Sequence, residues 1–431
     1  MADRITSISA REILANRGLV SLEVTVETEN GTIGVATPES GVSTGTYEAK
    51  FLLDGGKRYK GMGARKAAAM VNNEIAAEIV GMDVTDQANI DQAMIELDGT
   101  ADKRRLGANA IVGVSLAVVK AAAKSRGLPL YRYIGGPDAR IVPIPIVGIG
   151  TGGRYRDPGT SRWLKPSYEF APWGAGSYAE ALYWGWECTD MTVQLLRERY
   201  PDKFAPAYRG ISLAGVIDHD RELLEIMTEA IVRTGHEGKM GLYFDCAADT
   251  YYEADTDRYV GLFSPGEKTR DEVIALLKNF VDHYPIVSLE DPLHEEDFQG
   301  HAMATRELGI EIVGDDLFTT NPERLQQAIQ IGAANSMVLK ITQIGTVTEA
   351  LEACRLALRN GYNVHPCGSR GDGDSIGDFA VGLNAGQTRG GDRNRLLRIE
   401  EELGDSAIWM NKSAYKGWRQ ELHDHERSAA R

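Results

Sequence analysis

Five titratable residues close a series of short apolar runs in the second half of the chain. They are Asp245 in GLYFD, Glu290 in PIVSLE, Asp315 in IEIVGD, Lys340 in SMVLK and His365 in YNVH. The last four follow one another at intervals of 25 residues. A buried strand, a returning helix and two loops need about that much chain, so each interval reads as one βα unit. In a barrel of such units the C-terminal strand ends form the active face. One polar residue at a strand end is ordinarily just solvated. Five in phase point instead to a single shared cup.

Three carboxylates converging on one point raise each other's pKa unless a cation offsets them. A ligand set of oxygens, with no paired His or Cys, suits Mg²⁺ or Mn²⁺ better than zinc. The expected ligands are therefore Asp245, Glu290 and Asp315. Asp291 and Asp316 are neighbours in sequence and alternate to the other face of their strands, so they are left out. Burial and a nearby metal would both lower the pKa of Lys340, which suits it to act as a base; a salt bridge to one of the carboxylates is the plain alternative.

Upstream the pattern differs. Leu19–Thr28 alternates apolar and polar residues and turns at Asn30-Gly31 into a second strand, which predicts a hairpin. Helical spacing follows at Val71, Ile75 and Ile79, at Ile90, Met94 and Leu97, and over about Asn109–Ala123. The expected organisation is an α+β capping domain over residues 1–137 and a (β/α)8-type barrel over residues 138–431, an α/β fold. Ile141–Ile149, broken by Pro143 and Pro145, reads as an edge strand or an irregular first barrel strand. Two amphipathic helices are expected at about Tyr178–Arg199 and His219–Thr234.

A formal net charge of −15 argues against nucleic-acid binding. Four unpatterned cysteines and a start without an apolar signal core predict a reducing, cytoplasmic setting. The longest apolar stretches, Ile141–Ile149 and Ala110–Val119, are too short to span a bilayer.

Several long motifs resemble the enolase family over nearly the whole chain: AREILANRG (Ala10–Gly18), SGVSTGTYEA (Ser40–Ala49), LGANAIVGVSLA (Leu106–Ala117), YPIVSLEDP (Tyr284–Pro292), VGDDLFTTNP (Val313–Pro322) and LLRIEEELG (Leu396–Gly404). The resemblance implies two Mg²⁺ ions and dehydration of 2-phosphoglycerate to phosphoenolpyruvate, usually by a homo-oligomer. It implies Asp245, Glu290 and Asp315 as ligands of the first metal and Ser43, on a mobile loop, as a ligand of the second. It further implies Lys340 as the base that takes the α-proton, and Glu169 as a carboxyl group near the leaving hydroxyl.

Departures from the family cluster in the loops. The stretch matching its GDEGG motif reads Arg209–Leu213 and lacks a carboxylate. The loop histidine of its GGxH motif is replaced by Tyr155, beside Arg154. The SHRSGET segment becomes His365–Asp372, where His365, Ser369 and Arg370 are the candidates for catalysis and phosphate binding. Arg389 stands where a carboxylate-binding lysine is expected. A loop carrying Arg154, Arg156, Arg162 and Lys165 among Tyr155, Trp163 and Tyr168 is more basic than the family's; a solvated loop and a site for a larger anion fit it equally. Together these departures lead to the expectation of an altered second step, as in the enolase-like carboxyphosphonoenolpyruvate synthases of phosphinate natural-product pathways. The substrate would then be a phosphorylated or phosphonate anion, nucleotide-activated in that case. An ordinary enolase and an inactive, enolase-like binding protein are the competing readings.

Overall fold

A computed structural model describes residues 2–15, 18–39, 44–153, 155, 165–204, 211–370 and 373–417. The N-terminal part is an antiparallel sheet of Ile5–Leu14, Val20–Thr28 and Ile33–Ala36. Gly31, at φ +75°, makes the tight turn between the last two. Leu22, Val24 and Val26 alternate inward along the middle strand and are fully buried. They pack with the helix Ala108–Ser125, which has the length and composition of a membrane span but is 83% buried as the core of this layer. The expected helical faces appear as a continuous helical stretch over 65–79 and as Gln87–Asp98, with Val71, Ile75, Ile79, Ile90 and Met94 fully buried.

The second part is a closed barrel. In chain order its eight strands are Ile144–Thr151, Ser167–Ala171, Gly241–Asp245, Ile286–Glu290, Glu311–Gly314, Ser336–Leu339, Asn363–Gly368 and Gln387–Gly390. The last strand pairs with the first and closes the ring. The chain therefore has the α/β fold of a capped TIM barrel. Ile144–Thr151 is paired on both sides, so it is a full barrel strand and not an edge. Ser167–Ala171 runs antiparallel to both neighbours, whereas the other barrel pairings are parallel. Two consecutive helices, Tyr178–Arg199 and Arg221–Arg233, follow this reversed strand and restore the alternation.

The barrel interior is filled by Ile144, Ile146, Ala171, Tyr243, Val313, Val338 and Cys367, with Ala414 and Tyr415 entering from the C-terminal segment. On the capping sheet, Gly34 allows the closest approach of strand to helix. A Cβ there would lie 2.0 Å from the Ala117 carbonyl oxygen and 2.7 Å from the Ala121 nitrogen, both backbone atoms. Gly34→Ala is expected to cost about 1–3 kcal/mol of stability, measured by denaturant unfolding.

Candidate active site

The strand ends converge as the spacing requires. Glu290 lies directly opposite Asp245 on adjacent parallel strands. Asp315 and Lys340 follow the ends of the next two. Asp245, Glu290, Asp315 and Lys340 are all buried.

Arg389 ties one side of this cup together. Its Nη1 donates to Asp245 Oδ2 at 2.6 Å and to Glu290 Oε2 at 3.1 Å, Nε to Glu169 at 2.9 Å, and Nη2 to Ser167 Oγ at 2.7 Å. Asp245 and Glu290 thus share one guanidinium nitrogen, which shows that they point at a common place. Lys165 forms a second ion pair with Asp245, and Tyr243 donates its hydroxyl to Glu290. Burial works against the charge on Glu290, yet Arg389, Lys165 and Lys340 together hold its pKa down to about 2. Burial, helped by the nearby Arg389 charge, lowers Lys165 to about 8. Burial raises Glu169 despite its guanidinium partner.

On the other side, Lys340 ion-pairs with Asp315, and Gln343 donates to the second Asp315 oxygen at 2.8 Å. Burial alone would lower the lysine, but the Asp315 carboxylate overrides it and raises the pKa above the usual range. The protein's own groups therefore favour the protonated lysine, and the lowering expected from sequence rests on the charge that a metal on Asp315 would bring. The strand alternation that excluded Asp291 and Asp316 also fails here, because both lie beyond the strand ends and Asp291 adopts φ +40°. Carboxylate oxygens of Asp291, Asp315 and Asp316 lie within 4.8 Å of one another. Asp291 spends its two oxygens on the backbone N–H groups of Asp315 and Asp316, at 2.9 and 2.8 Å, and braces the turn that presents Asp315.

The donors present suit a hard divalent ion. Among the described residues, seven carboxyl groups (Glu48, Glu169, Asp245, Glu290, Asp291, Asp315, Asp316) meet four cations (Lys165, Lys340, Arg370, Arg389), and burial with mutual repulsion pushes Asp291 and Asp316 well above the ordinary range. One oxygen each of Glu290 and Asp316 is buried without a hydrogen-bond partner. Oxygen-rich, buried and short of positive charge, the cup fits Mg²⁺ or Mn²⁺.

The other expected residues are distributed unevenly. His365 pairs in register with Val338, two residues below Lys340, so it sits inside the barrel beneath the cup. It is fully buried, neither ring nitrogen has a partner, and burial lowers its pKa to about 4. Glu290, Arg389 and Lys340 act on its charge, so the imidazole lies within electrostatic reach of the cup, one layer below Lys340. Arg370 is buried in an ion pair with Glu48 of the capping part, while its neighbour Ser369 is half-buried in the turn. Arg370 nevertheless lines a cleft with Lys340, Cys367 and Ser375. Tyr155 donates to Asp220 at 3.2 Å, so its hydroxyl is already engaged. Ser43 and Arg154 lie outside the described residues, as do Arg156, Arg162 and Trp163. Sequence reasoning missed Tyr243, Gln343 and Glu48 as supports of the cup, and placed Lys165 only in a basic loop.

Residues 5–134 match the family model described as "Enolase, N-terminal domain", and residues 139–417 match "Enolase, C-terminal TIM barrel domain". The chain belongs to the enolase family. It is 47% identical over 420 residues to the enolase of Methanopyrus kandleri, covering 94% of this chain and 97% of that one. It is 44% and 43% identical over 424 residues to the enolases of Thermococcus gammatolerans and Thermococcus kodakarensis, covering 95% of this chain and 97% of each. These similarities overturn the carboxyphosphonoenolpyruvate synthase reading, and with it the nucleotide-activated phosphonate and the altered second step. The loop departures that prompted it sit inside a chain whose relatives over its whole length are called enolases. Membership also makes the chain an enzyme of the lyase class.

Asp220 sits on the wall behind the cup, fully buried, and accepts from Tyr168 at 2.8 Å and from the Gly153 N–H at 2.7 Å. Burial outweighs these donors and raises its pKa from 3.8 to about 7. The folded protein thus binds this proton more tightly than the unfolded chain. That contribution to stability is full below about pH 4 and is lost as pH rises through about 7. Thermal melts of Asp220→Asn are expected to lose this part of the decline in melting temperature between about pH 4 and pH 7.

Proposed function

We propose that this chain is an ordinary, Mg²⁺-dependent enolase that converts 2-phosphoglycerate to phosphoenolpyruvate and water, with Mn²⁺ as an alternative ion. The observation that carries the reading is the pairing of a buried acid cup with a lysine at its rim, in a chain whose relatives are named enolase over almost their full length. Asp245, Glu290 and Asp315 would hold the metal, which would supply positive charge to their carboxylates and to the substrate carboxylate as charge builds there. The proposal includes the division into a capping domain, 1–137, and a barrel, 138–431, a cytoplasmic setting and a homo-oligomeric state.

In this reading a metal on Asp315 would offset the carboxylate charge that keeps Lys340 protonated, and the neutral Lys340 amine would then remove the proton from the carbon next to the substrate carboxylate. Asp315 fixes the lysine's position, and Gln343 in turn fixes Asp315. The β-hydroxyl then leaves with a proton as water. Glu169 is suited to give that proton, because burial raises its pKa and keeps a proton on it nearer neutrality. It sits on the opposite wall from Lys340 and answers for the carboxyl group missing from Arg209–Leu213. Arg389, beside Glu169, presents a planar guanidinium suited to the substrate carboxylate. Arg370, which lines the cleft beside Lys340, and its neighbour Ser369 are suited to the phosphate.

Phosphoenolpyruvate formation from 2-phosphoglycerate, followed by absorbance, tests the reading. Activity is expected with Mg²⁺, to vanish with EDTA and to return on adding the metal back. A fully folded protein with no turnover under any divalent ion sinks it. Glu169→Gln keeps the shape but cannot donate the proton. It is expected to slow product formation by about 10²–10⁴-fold while leaving α-proton exchange nearer the wild-type rate.

A further inference from the structure

The closed end of the barrel, opposite the cup, carries a buried carboxyl group with no cationic partner among the described residues. Glu311 opens its strand and is fully buried. It accepts from Ser288 Oγ at 3.0 Å, Asn363 Nδ2 at 2.6 Å, Gln387 Nε2 at 2.5 Å and the Lys416 N–H at 3.3 Å. Four donors suit an ionised carboxylate, since a protonated one would have to give up an acceptor position and find an acceptor of its own. All four are neutral, burial raises the Glu311 pKa in spite of them, and no Lys, Arg or His side chain is among the described groups that act on it, so a bound cation is what would hold it ionised. Hydrogen bonds answer the desolvation of the oxygens but leave a net charge in the interior.

A second observation points to what fills this place. Gln387 Oε1, Ser336 Oγ and the Tyr415 hydroxyl are buried and have no hydrogen-bond partner. Each belongs to a residue linked to the carboxylate or to its donors, and the Glu311 charge acts on Tyr415. Gln387 donates to Glu311 from the other atom of the same amide, and Ser336 is the strand partner of Asn363. Tyr415 follows Ala414, whose carbonyl accepts from Asn363 at 2.9 Å. Three bare oxygens around one uncompensated carboxylate are a donor set for a cation.

We propose that the barrel floor holds a dehydrated monovalent cation, Na⁺, K⁺ or ammonium. Gln387 Oε1, Ser336 Oγ and the Tyr415 oxygen ligate it, and Glu311 balances its charge. One carboxylate among neutral oxygens gives too little negative charge for a divalent ion, which needs several carboxylates or retained water. The segment Asn411–Ala414 closes the floor, so the ion also fastens the C-terminal segment to the barrel.

The test uses the full chain with saturating Mg²⁺ and constant ionic strength, comparing choline chloride with NaCl, KCl and NH₄Cl. A saturable rise in melting temperature with at least one of these cations over choline is expected. Crystals soaked in a thallium(I) salt should show an anomalous peak between Gln387, Ser336 and Tyr415. Ser336→Ala removes a ligand without disturbing the donors to Glu311, and should raise the half-saturating concentration at least tenfold. Glu311→Gln should abolish the cation dependence. Equal stability in choline and in all three cations overturns the proposal, as does a floor that shows only water or an unaltered response in Ser336→Ala.

Discussion

Carboxylates crowded at one end of a barrel are the constraint around which this molecule is arranged. Like charges in a low-dielectric cup repel by several kcal/mol at contact distances, so the cluster persists only where cations answer it. Lys165, Lys340 and Arg389 supply three of those charges from three different strand ends or flanking loops. Arg389 spans Asp245, Glu290, Glu169 and Ser167, which fixes the reversed second strand against the third and fourth. The same ion pairs that steady the cup set its chemistry. They hold Glu290 ionised near 2, pull Lys165 to about 8, and keep Lys340 protonated until something else takes over Asp315.

The capping part is joined to the cup through the same electrostatics. Glu48 pairs with Arg370, and Gln343 bonds Asp315 while its backbone carbonyl accepts from the Ala49 N–H at 2.8 Å. Thr46 N–H reaches Glu295 at 3.0 Å on the barrel side. The segment after the SGVSTG motif is thus moored directly over the carboxylates. A ligand that drew Arg370 away from Glu48 would loosen the cap, and one that bridged them would tighten it.

Much of this was legible in the sequence. The regular spacing of Glu290, Asp315, Lys340 and His365 gave the parallel units, because strand-plus-helix length is fixed by geometry. The convergence of Asp245, Glu290 and Asp315 was legible because they end apolar runs. What was hidden depends on contacts that no local pattern encodes. Ser167–Ala171 reads as any short strand, and its reversed direction is visible only in its pairing. Asp291 was set aside by strand alternation, which stops at Glu290. His365 shares the spacing of its neighbours but falls one layer lower in register, where it meets Tyr243 edge-on and not solvent. The substituted loops, finally, carried the sequence reading toward a different second step. Local departures weighed more in that reading than similarity over the whole chain, and the whole-chain similarity proved the better guide.

The account rests on Lys340 being the base that works against this cup. The most direct measurement is exchange of the α-proton of 2-phosphoglycerate in deuterated water with Mg²⁺, followed by NMR for the wild type and for Lys340→Ala. Rapid exchange in the wild type and a loss of about 10²-fold or more in the variant is the predicted result. Exchange at the wild-type rate in a folded Lys340→Ala protein would contradict the account and place the base elsewhere in the cup.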